Sequence, residues 1–259
     1  MNPGAQGPAD AWYRELVVEF PDGTKEWLHI ERKPTGTHIP LLRGKPAPWT
    51  DLEFQKCPSC PLPKNLVPTC PAALSMQTTL GKLREHTSIE EVKATAVDAR
   101  GRTQTVEGPL QNVGATLVQL AVFVSGCPVG KEFKPYLEDL PPFVSSQQLS
   151  RHIVTKILAK HDGVWESARA ELVGTLNALH EIFVHLMKRL LNGGEPPAQD
   201  AIPNSIAHLD AVAQTLSVRA DALFQQMTVE LGWHKKPAVE DKPAGLGGRL
   251  ASFFGRLKP

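Results

Sequence analysis

Every cysteine in this chain is followed directly by proline, and three of the four pairs fall in one stretch, "CPSCPLPKNLVPTCP", residues 57–71. Cys57, Cys60 and Cys70 lie there, and Cys127 opens the fourth pair in "SGCPVG". Proline fixes its own φ and has no N–H to donate, so the Pro-rich segment 34–71 cannot be a regular element. With little hydrogen bonding of its own, it needs something else to fix it. Two cysteines separated by two residues let one tight turn present two sulfurs to one centre, a spacing that zinc and iron–sulfur sites share. Cys70 can reach the same centre, and Cys127 supplies the fourth ligand, because the fold rather than the loop closes the longer interval. The expectation is one metal centre on Cys57, Cys60, Cys70 and Cys127. Its alternative is a cluster of small buried hydrophobes.

Which metal stays open. Zn2+ is the usual occupant of a four-cysteine structural site in a reducing compartment. A zinc knuckle commonly has glycine after its second cysteine, leaving an N–H to bond the sulfur, and Pro61 removes that donor. Cysteine followed by proline is the last ligand of a ferredoxin-type motif, and "PLP", "LVP" and "VFV" would shield a [4Fe–4S] cluster from water.

The chain of 259 residues is long enough for one large or two smaller domains, and its charged fraction of 21% is that of an ordinary soluble protein. A net charge of +1 gives no overall electrostatic case for nucleic acid or an anionic membrane. "MNPGAQGPADAWYREL" has no basic n-region or apolar h-region, and no apolar run approaches the roughly 20 residues of a spanning helix. A cytoplasmic location is expected, where reduced thiols argue against disulfides.

Alternation in "YRELVVEF" puts Leu16, Val18 and Phe20 on one face; the "PDGT" turn and "KEWLHIE" complete a hairpin. "EEVKATAVDARG" into "RTQTVEG" reads as a second, with Val92, Ala94 and Ala96 inward. Helical spacing follows in "PAALSMQTTLGKLREH", opened by Pro71, and in "PLQNVGATLVQLAVFVSG", stopped by Gly126. Cys70 is thus expected at a helix start, which favours a thiolate, and Cys127 just beyond a helix end.

Beyond about residue 145 the pattern is helix only. Ser145 and Gln148 form a plausible capping box. Leu172, Leu176, Leu179, Phe183, Leu186 and Leu190 form one heptad seam. Ile206, Leu209, Ala213, Leu216, Ala220, Leu223 and Met227 form another, across the "NGGEPPAQDAIPN" break. An antiparallel helical hairpin is expected, packed internally or against a second copy as a homodimer. "HEIFVH" spaces His180 and His185 too far apart for the zinc-peptidase motif and reads as a solvated face; His152, His161 and His208 read as isolated. At the end, "LGGRLASFFGRLKP" is an amphipathic stripe beyond a mobile linker. It is expected to dock on a protein partner such as a shell or complex, with a membrane surface as the lesser alternative.

The expected class is α+β: antiparallel β-hairpins with helices and a four-cysteine metal site, followed by an all-helical hairpin half. The expected organisation is a disordered tail at 1–11, an α+β domain at 12–143, a helical region at 144–234, a linker at 235–245 and the peptide at 246–259.

"FQKCPSCPL", "CPAAL" and "SGCPVGKEFKPYLEDLPPF", with the "FPDG" turn, resemble the core pattern of a family of bacterial proteins of unknown function. The resemblance spans roughly residues 12–190 and departs from that family where it carries a histidine and this chain reads "YLEDLPPF". It implies the four-cysteine unit and no activity. The functional expectation is a metal-binding regulatory or interaction module, with an iron–sulfur redox, electron-transfer or sensor protein as the alternative. An enzyme is disfavoured, because four sulfur ligands leave no open position.

Overall fold

The computed structural model describes residues 13–29, 45–98, 101–123, 125–137, 140–194 and 198–230. The expected tail at 1–11, the linker and the peptide at 246–259 lie outside these residues, as does 34–44 of the Pro-rich segment.

Strands β1 (Tyr13–Glu19) and β2 (Lys25–His29) form the first hairpin, and β3 (Glu91–Asp98) and β4 (Thr103–Pro109) the second. They join as one antiparallel sheet in the order β2-β1-β3-β4. The β1–β3 register sets Leu16 opposite Ala96 and Val18 opposite Ala94, and these four are fully buried with Val92 and Phe20 beside them. A two-residue period therefore fixes which face is dry. The other face carries the Thr95–Thr105 hydroxyl pair and the Lys93–Glu107 ion pair. Gly23 makes the first turn possible, since its φ of 83° lies where side chains are strained.

Six helices complete the described residues: α1 (Pro71–Leu80), α2 (Leu110–Phe123), α3 (Pro128–Phe133), α4 (Ser146–Lys160), α5 (Trp165–Asn192) and α6 (Ala201–Glu230). The class is α+β, as the sequence pattern indicates. Helix α4 opens with the expected capping box: Ser145 Oγ accepts from Gln148 N, and the Gln148 side chain accepts from Ser145 N. All six seam residues of α5 are buried, from Leu172 at 0% exposed to Leu190 at 5%. Helix α6 runs antiparallel to α5, as the pairs Arg169–Asp221 and His180–Asp210 show, each at 2.8 Å. Gly114 lets α2 and α6 meet closely: a Cβ there would stand 1.9 Å from Ser205 Oγ.

The chain divides into two compact units, residues 1–221 and 222–259. The first contains the sheet, α1 to α5 and most of α6. Of the second, residues 222–230 are described; they are the last turns of α6.

Two elements depart from the sequence reading. Helix α3 follows Cys127 directly, where only a helix end was expected, and Pro128 takes its first position. Helix α6 begins at Ala201, so Pro203 sits in its first turn rather than in the break. The first turn has unpaired N–H groups in any helix, and a proline costs nothing there. No single helix among the described residues is long and apolar enough to cross a membrane.

Candidate metal centre

The cysteine loop is pinned at its base. Asp51 and Thr69 form an isolated antiparallel bridge, Leu52 N donates to Pro68 O at 3.0 Å, and Cys70 N donates to Thr50 O at 2.7 Å. Residues 53–68 loop out from this neck. Within the loop, Cys60 N donates to Cys57 O at 3.0 Å, which closes the turn that the Cys-x-x-Cys spacing requires. Cys70 is the N-cap residue of α1 and Cys127 that of α3, each with proline at the first helical position.

Helix α5 holds the loop from the other side, through a face that the heptad pattern does not reveal. Arg189 is 1% exposed. Its Nη1 donates to Trp49 O at 3.0 Å and Asp51 O at 2.6 Å, and its Nη2 to Leu52 O at 2.9 Å. One turn and two turns earlier, His185 Nδ1 donates to Gln55 O at 2.9 Å and the Glu181 carboxylate accepts from Ser59 N and Oγ at 2.9 and 2.6 Å. The reading of "HEIFVH" as a solvated face is therefore corrected: His185 ties the loop, and His180 pairs with Asp210 on α6. His161 likewise is not isolated, since it pairs with Glu171. Nor is the segment poor in hydrogen bonds of its own over residues 45–71, which include Thr50 N to Ala47 O and Val67 N to Pro63 O, and three of its carbonyls accept from the buried Arg189.

Sequence reasoning missed Arg189 and Glu181, and read His185 as solvated, because it followed the apolar seam. A signal was present: Ile182, Leu186 and Arg189 repeat at helical spacing, and a charge in line with two buried aliphatics is seldom solvated.

All four cysteines border one small pocket. Cys57, Cys60, Cys70 and Cys127 line a space of about 20 Å³ together with Pro61, Ile182, Leu186 and Arg189. All four are free thiols and partly buried. Burial, then repulsion from Cys70, Cys127 and Cys60, pushes the Cys57 thiol up to about 12, with Arg189 pulling the other way. Burial also raises Cys127, to about 11, against the opposing pull of the Gly130 and Val129 N–H groups at the start of α3. Among the described residues, no three His, Cys, Asp or Glu side chains stand close enough as placed to hold a single metal ion.

A family model described as Domain of unknown function (DUF6901) matches residues 15–231. The chain belongs to the DUF6901 family. No curated protein and no solved structure matches it. The DUF6901 match runs from β1 to the end of α6, so it includes the cysteine loop, both cysteine-capped helices and the α5 residues that brace the loop.

Proposed function

We propose that this DUF6901 protein binds one metal centre through Cys57, Cys60, Cys70 and Cys127 and works as a regulatory or interaction module rather than as an enzyme. The observation that carries the reading is that all four cysteines of the chain, drawn from three separate segments, line one cavity. Two facts support it. Cys60 N donates to Cys57 O and closes the tight turn that lets a Cys-x-x-Cys pair present two sulfurs to one centre. Arg189, a buried cation at the same cavity, has three carbonyl partners and no carboxylate among the described residues. A centre bound by four thiolates is net negative, and it would supply the missing counter-charge. Four sulfur ligands leave no coordination position for a substrate, which places the centre in a structural, sensing or electron-carrying role.

Protein contacts are assigned to the α5–α6 hairpin and to the peptide at 246–259, in a reducing compartment. Metal analysis of the purified chain tests the centre. One stoichiometric metal centre is expected, lost in Cys127→Ser together with a lower melting temperature; no bound metal, or full retention in that variant, refutes it. Deleting residues 245–259 tests the peptide: unchanged melting with loss of a co-purifying protein supports docking, and a drop in melting temperature with no partner lost refutes it. The second reading is an iron–sulfur redox or sensor protein, which the apolar lining of Pro61, Leu62, Ala72, Val129, Ile182 and Leu186 around the cysteines would suit.

A further inference from the structure

We propose that Glu181 is a positioning residue for the cysteine centre: from helix α5 it sets the Cys57–Cys60 turn and so governs how tightly the centre is held. The inference rests on the metal reading above. Ser59 stands between Pro58 and Cys60 in that turn. Its N and Oγ both donate to the same carboxylate oxygen, Glu181 Oε1, at 2.9 and 2.6 Å. The three positions after Cys57 are thereby accounted for. Pro58 has no N–H, Ser59 gives its N–H to α5, and Cys60 gives its own to Cys57 O at 3.0 Å. The turn therefore takes its orientation from a carboxylate on another element.

The flank of the turn is held from the same helix. Gln55, two residues before Cys57, sits at a φ of 48°, a conformation that a non-glycine residue keeps only where its surroundings impose it. His185, one helical turn beyond Glu181, supplies that constraint through Nδ1 to Gln55 O at 2.9 Å. Ile182 and Leu186, each the next residue along α5 from one of these ties, line the pocket beside the cysteines. The helix that carries the ties thus also walls the pocket. Its own place does not depend on them, because its apolar seam from Leu172 to Leu190 is buried. Ser59 is exposed and Glu181 half-buried, so a bond between them adds little to folding. An outer partner that orients metal ligands nevertheless changes metal affinity by about 10–100-fold. Affinity and stability are therefore separable at this residue.

The unaltered chain, Glu181→Ala, Glu181→Gln, Ser59→Ala and the Glu181→Ala/Ser59→Ala double variant are loaded in parallel with Zn2+ and, without oxygen, with ferrous iron and sulfide. Retention is read as the chelator concentration that strips half the bound metal, and the melting temperature of each metal-free chain is measured beside it. Glu181→Ala is expected to lower that concentration by about 10–100-fold, with its metal-free melting unchanged. Glu181→Gln keeps an oxygen acceptor for both bonds and is expected to hold metal nearly as well as the unaltered chain. Ser59→Ala, which keeps the N–H and loses the Oγ, should fall between, and the double variant should be no weaker than Glu181→Ala alone. Undiminished retention in Glu181→Ala overturns the positioning role and leaves the metal reading standing. So does Glu181→Gln failing as Glu181→Ala does, which assigns the effect to charge, or a matching fall in metal-free melting, which makes Glu181 a structural brace. An unaltered chain that takes up neither load overturns the metal reading and this inference with it.

Discussion

Arg189 donates to the Trp49, Asp51 and Leu52 carbonyls from a side chain 1% exposed, and of these Asp51 O also accepts from Phe54 N. Arg189→Met would fill a similar volume and remove all three guanidinium bonds. It is expected to cost roughly 3 kcal/mol, read as a lower urea midpoint with unchanged slope. Arg189→Lys keeps the charge but loses the planar fork and is expected to recover less than half of that loss. Glu171 behaves differently. Burial works against its charge, but Lys160, the Tyr136 hydroxyl and His161 hydrogen-bond it and hold the carboxyl at about 2 against an ordinary 4.5. The folded value is the depressed one. Its contribution is therefore complete above 4.5 and is lost as pH falls toward 2. Glu171→Gln is expected to remove about 1–2 kcal/mol at neutral pH, after discounting for partial exposure, and to flatten the acid limb of melting temperature against pH. An acid limb unchanged by the substitution would contradict this.

Between elements, the tightest constraint is where α2 crosses α6. An ideal Cβ on Gly114 meets Ser205 Oγ at 1.9 Å and Ser205 Cβ at 2.8 Å. Gly114→Ala is expected to destabilise by about 1–3 kcal/mol despite its better helix propensity, and Ser205→Gly in the same chain should recover part of it, a coupling visible in thermal melts. The strands and long helices were legible because burial follows a simple period: alternation in β1 and β3, and three-and-four steps in α5 and α6. The cysteine neighbourhood was legible only in part. Cys-Pro at 70 announces a helix start, and α1 begins at Pro71; the same signal at 127 went unread because Gly126 already looked like a stop. The bracing face of α5 was hidden for another reason. Its work is done by hydrogen bonds that Glu181 accepts from Ser59 and that His185 and Arg189 donate to backbone carbonyls, all with partners more than a hundred residues away that no local pattern names.

Across the whole molecule, the loop at 53–68 is held by a few polar ties, whereas α5 and α6 bury long apolar seams. Loss of the metal should therefore open the loop first, because few buried contacts oppose local unfolding there. Trypsin is expected to cut the metal-free chain at Lys56 and Lys64 well before any site in the two long helices, with the loaded chain resistant; equal cleavage of both forms would argue that the centre does not order the loop. The neck of that loop has a further consequence, in time rather than in space. Cys57, Cys60 and Cys70 leave the ribosome before β3, β4 and α2, and Cys127 only after them. During synthesis the chain thus passes through a stage with three cysteines made and the fourth still tens of residues away. The pocket is complete only when α2 and the Cys127 that follows it have been added. The proposed centre would then be inserted only after the second hairpin has been made, and a chain that mispairs its strands would hold no more than part of it.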